Sequence, residues 1–235
     1  MKKNQSIFHL EGNEGTKEAL SYSYKMFVSL IRILNVNGIR AANHLFPDEF
    51  TDLKLDDLSI SETCKCFASR EAAEKTSWKK GGSILEIGVA EANHAISLIE
   101  NTQAKSYEGI DIEFNIPKDN QSKLKMLGEK NNVKIIMSDS ESILKEFIKK
   151  KKTFDSIYID ANHRYYFVSN ELELCKKLLN PSGRIVLNDY VTWFVNSMEP
   201  SGVRRAVIEF MHSNKNWEID YYVLNENDIS ISRKY

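Results

Sequence analysis

Acidic residues end a series of short apolar runs in this chain, and a histidine closely follows one of them. Asp111 closes Tyr107-Glu108-Gly109-Ile110, Asp160 closes Ser156-Ile157-Tyr158-Ile159, and Asp189 follows Ile185-Val186-Leu187-Asn188. If such runs are parallel strands, their carboxyl ends open along one edge of a sheet and these acids converge there. Asp160 and Asp189, with Asn188 as a neutral oxygen donor, form a hard, oxygen-rich set that suits magnesium or a similar divalent cation. A cation held this way lowers the pKa of a hydroxyl and orients the resulting oxyanion. Successive strand residues face opposite ways, so Asn188 and Asp189 share a ligand only if the strand has ended by that point. His163 lies on the loop after Asp160, where an imidazole titrating near neutral pH can serve as general base.

A second constellation lies upstream. Ser83-Ile84-Leu85-Glu86-Ile87-Gly88-Val89-Ala90-Glu91 is an apolar run that stops at an acid and a glycine before a helical pattern begins. Such strand-to-helix crossings hold nucleotide-like ligands, because backbone N–H groups point outward and glycine permits close approach. The loop continues Ala92-Asn93 and lacks the Gly-x-Gly-x-x-Gly spacing that a pyrophosphate requires, which disfavours a nicotinamide dinucleotide. Alanine fits there at ordinary backbone angles, but not where a positive φ is needed. Asp111, roughly twenty residues past Gly88, can accept both hydroxyls of a ribose. Asp139 and Ser140 close a further strand, where the same residues suit contact with a base and the N-cap of the next helix.

The elements that must position these groups follow from periodicity. Leu20, Tyr24, Phe27, Val28, Ile31 and Leu34 predict an amphipathic helix over Lys17 to Val36, and a second helix is expected from Ser61 to Ser77. After Gly82 strands and helices alternate. Strands are expected at 84–87, 107–111, 133–137, 154–159 and 184–188, separated by helices near 92–101, 121–129, 142–150 and 167–179. A helix over 202–211 and two runs at 217–223 and 229–232, joined by a turn, close the chain with an antiparallel pair at the sheet edge. The predicted fold is α/β: a Rossmann-like sheet of seven strands with the last one antiparallel. Residues 1–80 form an N-terminal helical extension or lid, and residues 81–235 the cofactor-binding domain.

Composition narrows the function classes. Lys plus Arg total 32 against 33 Asp plus Glu, a net charge of −1, so no global field favours nucleic acid or an anionic membrane. No uncharged run approaches the length of a membrane span. The three cysteines, Cys64, Cys66 and Cys175, suit a reducing compartment better than a disulfide framework, and the expected location is cytoplasmic. Cys64 and Cys66 lack a second ligand pair at zinc-like spacing. The apolar face of the first helix suits a homodimer.

The order of elements from Gly81 to Tyr235 resembles the class I S-adenosylmethionine-dependent methyltransferases. Asp160-Ala161-Asn162-His163-Arg164-Tyr165, Asn180-Pro181-Ser182-Gly183 through Asp189-Tyr190, and Gly202-Val203-Arg204-Arg205-Ala206-Val207 together resemble the subgroup with macrocin O-methyltransferase and the cephamycin-pathway methyltransferase-like proteins. The resemblance implies S-adenosylmethionine against Glu86, Gly88, Ala90 and Asn93, its ribose on Asp111 and its adenine at Asp139 and Ser140. It also implies a divalent metal at Asp160, Asp189 and Asn188, with Asp160 and His163 catalytic. The acceptor is then a small-molecule hydroxyl, on a sugar or secondary metabolite. The segment after Asp160 is not the Pro-Pro-aromatic loop used on base amino groups, and no Pro-Cys nucleophile exists for cytosine chemistry. A non-catalytic scaffold that has kept the fold is the competing reading, which the glycine-poor loop permits.

Overall fold

Alternation of residue faces along the central strands organises two cores. In the computed structural model, which describes residues 58–191, 193–194 and 199–234, Ile84 points to one side of the sheet and Leu85 and Ile87 to the other or its edge. The strands are β1 (Ile60–Phe67), β2 (Ser83–Ile87), β3 (Ser106–Asp111), β4 (Asn132–Met137), β5 (Phe154–Ile159), β6 (Leu179–Leu187), β7 (Trp193–Phe194), β8 (Glu199–Pro200), β9 (Trp217–Val223) and β10 (Ile229–Arg233). The helices are α1 (Arg70–Ser77), α2 (Asn93–Thr102), α3 (Lys118–Lys130), α4 (Ser140–Lys149), α5 (Tyr165–Leu178) and α6 (Val203–Ser213). Every described residue belongs to the unit Asp48–Tyr235.

Eight strands form one sheet in the order β1-β9-β10-β6-β5-β2-β3-β4, while β7 and β8 pair separately. The strands from β2 to β6 run parallel, and β10 is antiparallel to both β6 and β9. Ala73 of α1, Leu98 and Ile99 of α2 and Leu124 of α3 pack on one face. Leu144 and Phe147 of α4, Leu172 of α5 and Val207 of α6 cover the other. The central strand β5 is buried at every position, as expected of a parallel strand with helices on both sides. All five parallel strands therefore deliver their carboxyl ends to one edge.

One expected element is different. The helix predicted from Ser61 to Ser77 is a strand, β1, followed by a shorter helix, α1, so the sheet has eight strands instead of seven. Ile60 and Thr63 are β-branched, and β1 pairs in parallel with β9 at the sheet edge. That pairing partner lies far along the chain and overrides local helical spacing. Ser69, extended, starts α1 by accepting from the Ala72 N–H at 3.4 Å. The helix expected over Lys17 to Val36, and the dimer face assigned to it, lie outside the described residues. Among those described, no helix is long and apolar enough to cross a membrane.

Candidate active site

The loop between β2 and α2 is shaped by its backbone. Gly88 has φ +92°, and its N–H donates to the Ile110 carbonyl at 2.9 Å. Asp111, at the end of β3, accepts from the Val89 and Ala90 N–H groups, both at 2.8 Å on Oδ2. One carboxylate oxygen thus ties the loop to the next strand, and the other belongs to a partly exposed group at the sheet edge. Ala90 (φ +46°) and Ala92 (φ +62°) both adopt the left-handed conformation in which alanine is strained. Ala90 is exposed and loses no packing on truncation. Ala90→Gly is expected to stabilise the protein by about 0.5 kcal/mol, the left-handed penalty less glycine's extra unfolded-state entropy, measured by urea denaturation.

Glu86 faces inward below this loop. Its Oε1 contacts His94 Nδ1 at 2.7 Å, and its Oε2 accepts from the Tyr107 hydroxyl. His94 Nε2 contacts Glu74 Oε1 at 2.8 Å, and Glu74 Oε2 accepts from Asn101 at 2.7 Å. Burial opposes the His94 charge, but Glu86 and Glu74 outweigh it and lift its pKa to about 9. Glu86 therefore ties the end of β2 to α2 and β3. Asn93, exposed at the start of α2, accepts from Asn120 at 2.8 Å.

Asp139 is the N-cap of α4, accepting from the Ser142 N–H at 2.8 Å, and this backbone bond holds its carboxyl below the usual range. The Ser140 hydroxyl donates inward to Glu171 Oε1 at 2.6 Å. Glu171 was not singled out from the sequence, although the signal is visible: it falls on the buried stripe Val168, Glu171, Leu172, Cys175 of α5. Burial raises its pKa to about 7, with the Ser140 bond opposing.

Asp160, His163 and Asp189 come together. Their ligand atoms lie within 4.8 Å of one another, with His163 Nε2 3.5 Å from Asp160 Oδ1 and 3.3 Å from Asp189 Oδ2. Asp189 has φ +55°, so the chain has left strand geometry by this residue, as joint use of 188 and 189 requires. Burial opposes charge on His163, but Asp160 and Asp189 raise its pKa, while burial raises that of Asp189. Asn188 is buried, and its amide donates to Asp228 Oδ1 at 2.9 Å and to the Glu226 carbonyl at 3.1 Å. Gly202 donates its N–H to the His163 carbonyl at 2.8 Å, and a Cβ there would lie 2.6 Å from the Tyr165 Cβ, so α6 starts hard against the His163 loop. Of the two arginines that follow, Arg205 pairs with Glu209 at 2.9 Å and lies over the Tyr165 ring.

This edge joins a glycine-bent loop, a ribose-competent acid and a cluster of two carboxylates with an imidazole. Residues 85–190, which span all three, match a family of methyltransferase domains. The fold is that of an S-adenosylmethionine-dependent methyltransferase. A protein assigned as an rRNA methylase from Clostridium thermocellum superposes with a TM-score of 0.52 at 17% identity, over 70% of this chain and 93% of its own. Two other structural matches are weaker. The ribosomal protein L11 methylase of Lactobacillus delbrueckii subsp. bulgaricus gives 0.48 at 17% identity over 70% of this chain and 76% of its own. The pyocyanin biosynthetic protein PhzM gives 0.49 at 12% identity over 69% and 53%. No curated protein matches the chain.

Proposed function

We propose that the protein transfers the methyl group of S-adenosylmethionine to a hydroxyl of a small molecule, such as a sugar or secondary metabolite, with a divalent cation at Asp160 and Asp189. The observation that carries this reading is the convergence of Asp160, His163 and Asp189 within 4.8 Å, next to the Gly88 loop. The residues fit both groups. A loop whose N–H groups are already taken by Asp111 and the neighbouring strand, with Asp111 partly exposed beside it, suits a nucleoside without a pyrophosphate. Two carboxylates suit magnesium or manganese, which leaves the His163 imidazole to act as base, while the amide of Asn188 is already engaged by Asp228 and the Glu226 carbonyl.

S-adenosylmethionine supplies an electrophilic methyl, and a cation between the carboxylates supplies Lewis acidity for the hydroxyl while offsetting the charges that raise the His163 pKa. His163 Nε2 is placed to take the proton of an acceptor hydroxyl, whose oxygen would then receive the methyl with S-adenosylhomocysteine as the leaving group. Alignment of oxygen, carbon and sulfur by the sheet edge supplies much of the rate. Tyr166 and Phe167, exposed beside the His163 loop, offer ring faces to the acceptor. The near-neutral charge balance favours a small acceptor over nucleic acid.

The scaffold reading draws support from the strained alanines of the loop, and one measurement separates the two. Calorimetric titration with S-adenosylhomocysteine is expected to show saturable binding; its absence from folded protein sinks the cofactor assignment. Asp160→Asn and Asp189→Asn are expected to bind S-adenosylhomocysteine as the wild type does and to lose about 100-fold or more in labelled-methyl transfer across a panel of hydroxyl compounds. Full wild-type turnover in chelator would remove the metal from the mechanism.

A further inference from the structure

The left-handed backbone at Asp189 costs about 1–3 kcal/mol for a residue with a Cβ, so its surroundings must over-determine it. Much of that restraint comes from the turn between β9 and β10. Asp228 Oδ1 accepts from the Asn188 amide at 2.9 Å, the Glu226 carbonyl accepts from the same amide at 3.1 Å, and the Asn227 carbonyl accepts from the Tyr190 N–H at 2.9 Å. Both neighbours of Asp189 are thus pinned to one turn. The Ser201 hydroxyl adds a bond to the Asp189 carbonyl at 3.3 Å.

Asp228 is the centre of this clamp, and it is 1% exposed. A carboxylate that deep needs paired charge and hydrogen bonds. Tyr158 donates to it at 3.1 Å, and the charge comes from Arg70 at the start of α1, whose Nε donates at 2.8 Å and whose Nη2 donates at 3.2 Å. The Arg70 backbone N–H also donates to Glu226 Oε2 at 3.0 Å, so the same residue anchors the turn at two points. A planar guanidinium holds both carboxylate oxygens in a fork that an ammonium cannot reproduce. Asn188, immediately before Asp189, closes the series, since its amide bonds both Asp228 and the Glu226 carbonyl.

We infer that Arg70 and Asp228 are positioning residues that hold Asp189 in register with Asp160 and His163, through the chain Arg70, Asp228, Asn188. Arg70 lies outside the segment 85–190 shared with methyltransferase domains, so this chain supports its reacting edge from a strand-and-helix addition to the sheet. The inference rests on the reading of Asp160, His163 and Asp189 as the reacting centre. It assigns the β1–α1 addition a role in the chemistry of the far side of the site, separate from the cofactor loop.

The test uses the full chain, with Mn2+ alone and S-adenosylhomocysteine alone as probes, and the variants Arg70→Met, Arg70→Lys and Asp228→Asn. Partners one step behind a metal ligand typically change affinity by about 10–100-fold, so Arg70→Met and Asp228→Asn are expected to weaken Mn2+ by about that factor. S-adenosylhomocysteine affinity is expected to stay within about threefold, and Arg70→Lys is expected to recover part of the Mn2+ loss. A purely structural role would lower the melting temperature of these variants without splitting the two affinities. Wild-type Mn2+ affinity in folded Arg70→Met and Asp228→Asn overturns the inference, as does parallel loss of both probes. A crystal structure of Asp228→Asn decides it independently of any metal: Asp189 leaving the left-handed region supports it, and Asp189 retained at the wild-type φ and distance from His163 refutes it. If the wild type binds neither probe, the proposed function fails while that structure still judges the positioning role.

Discussion

Gly88→Ala is expected to abolish S-adenosylhomocysteine binding and to destabilise the protein by about 3 kcal/mol or more. The added Cβ would lie 2.5 Å from the carbonyl carbon of Asp160 and 2.9 Å from the Cα of Ala161, with the Asp160 carbonyl oxygen closer still. These are backbone atoms of the neighbouring strand end, not the tip of a flexible side chain. Both sides are pinned: the Gly88 N–H bonds the Ile110 carbonyl at 2.9 Å and the Asp160 N–H bonds the Ile87 carbonyl at 2.8 Å. Nor does φ +92° suit alanine even without a neighbour. Relief requires the loop to move, which takes the Val89 and Ala90 N–H groups off Asp111 and shifts Asp160 away from its partners. Thermal melting and calorimetry on the same sample check the two halves of the expectation. A Gly88→Ala protein with wild-type affinity would show that the loop is not the cofactor cradle.

The second large effect concerns the imidazole below that loop. His94→Ala is expected to cost about 3–5 kcal/mol, because it leaves Glu74 and Glu86, each 1% exposed, as buried carboxylates without their cation. Loss of the ring contact with Tyr158, centroids 4.4 Å apart, adds to this. The pH dependence has a definite sign. A histidine whose pKa rises from about 6.5 unfolded to about 9 folded binds its proton more tightly in the native state. Its stabilisation is fully present below about pH 6.5, and it is lost as pH rises towards and through about 9. Chemical denaturation between pH 6 and 10 should therefore show wild-type stability falling with pH, relative to His94→Gln, across that window. A constant difference between the two proteins would mean that His94 is neutral in the fold.

Periodicity along the chain marks the strands β2 to β6, the closing pair β9 and β10, and the edge that carries Asp111, Asp160 and Asp189. Those features are legible because strand and helix periods are local, and because parallel strands place every carboxyl end on the same side. Gly88 was legible for a related reason, as the one residue in its loop free of a Cβ. Tertiary structure alone decided β1, whose edge position depends on pairing with β9, more than a hundred residues away in the chain. It also decided the left-handed backbones of Ala90, Ala92 and Asp189, because neighbours and not residue type impose them. The buried pairs followed the same rule. Nothing in the local sequence names the partners of His94, which folding places between Glu74 and Glu86, and Arg70 meets Asp228 across a separation of 158 residues. A periodic pattern records which face of an element is buried, but the partner a buried charge will find is set by how the elements stack. The residues that perform the proposed chemistry could therefore be read along the chain, while those that hold them in place emerged only from the packed sheet.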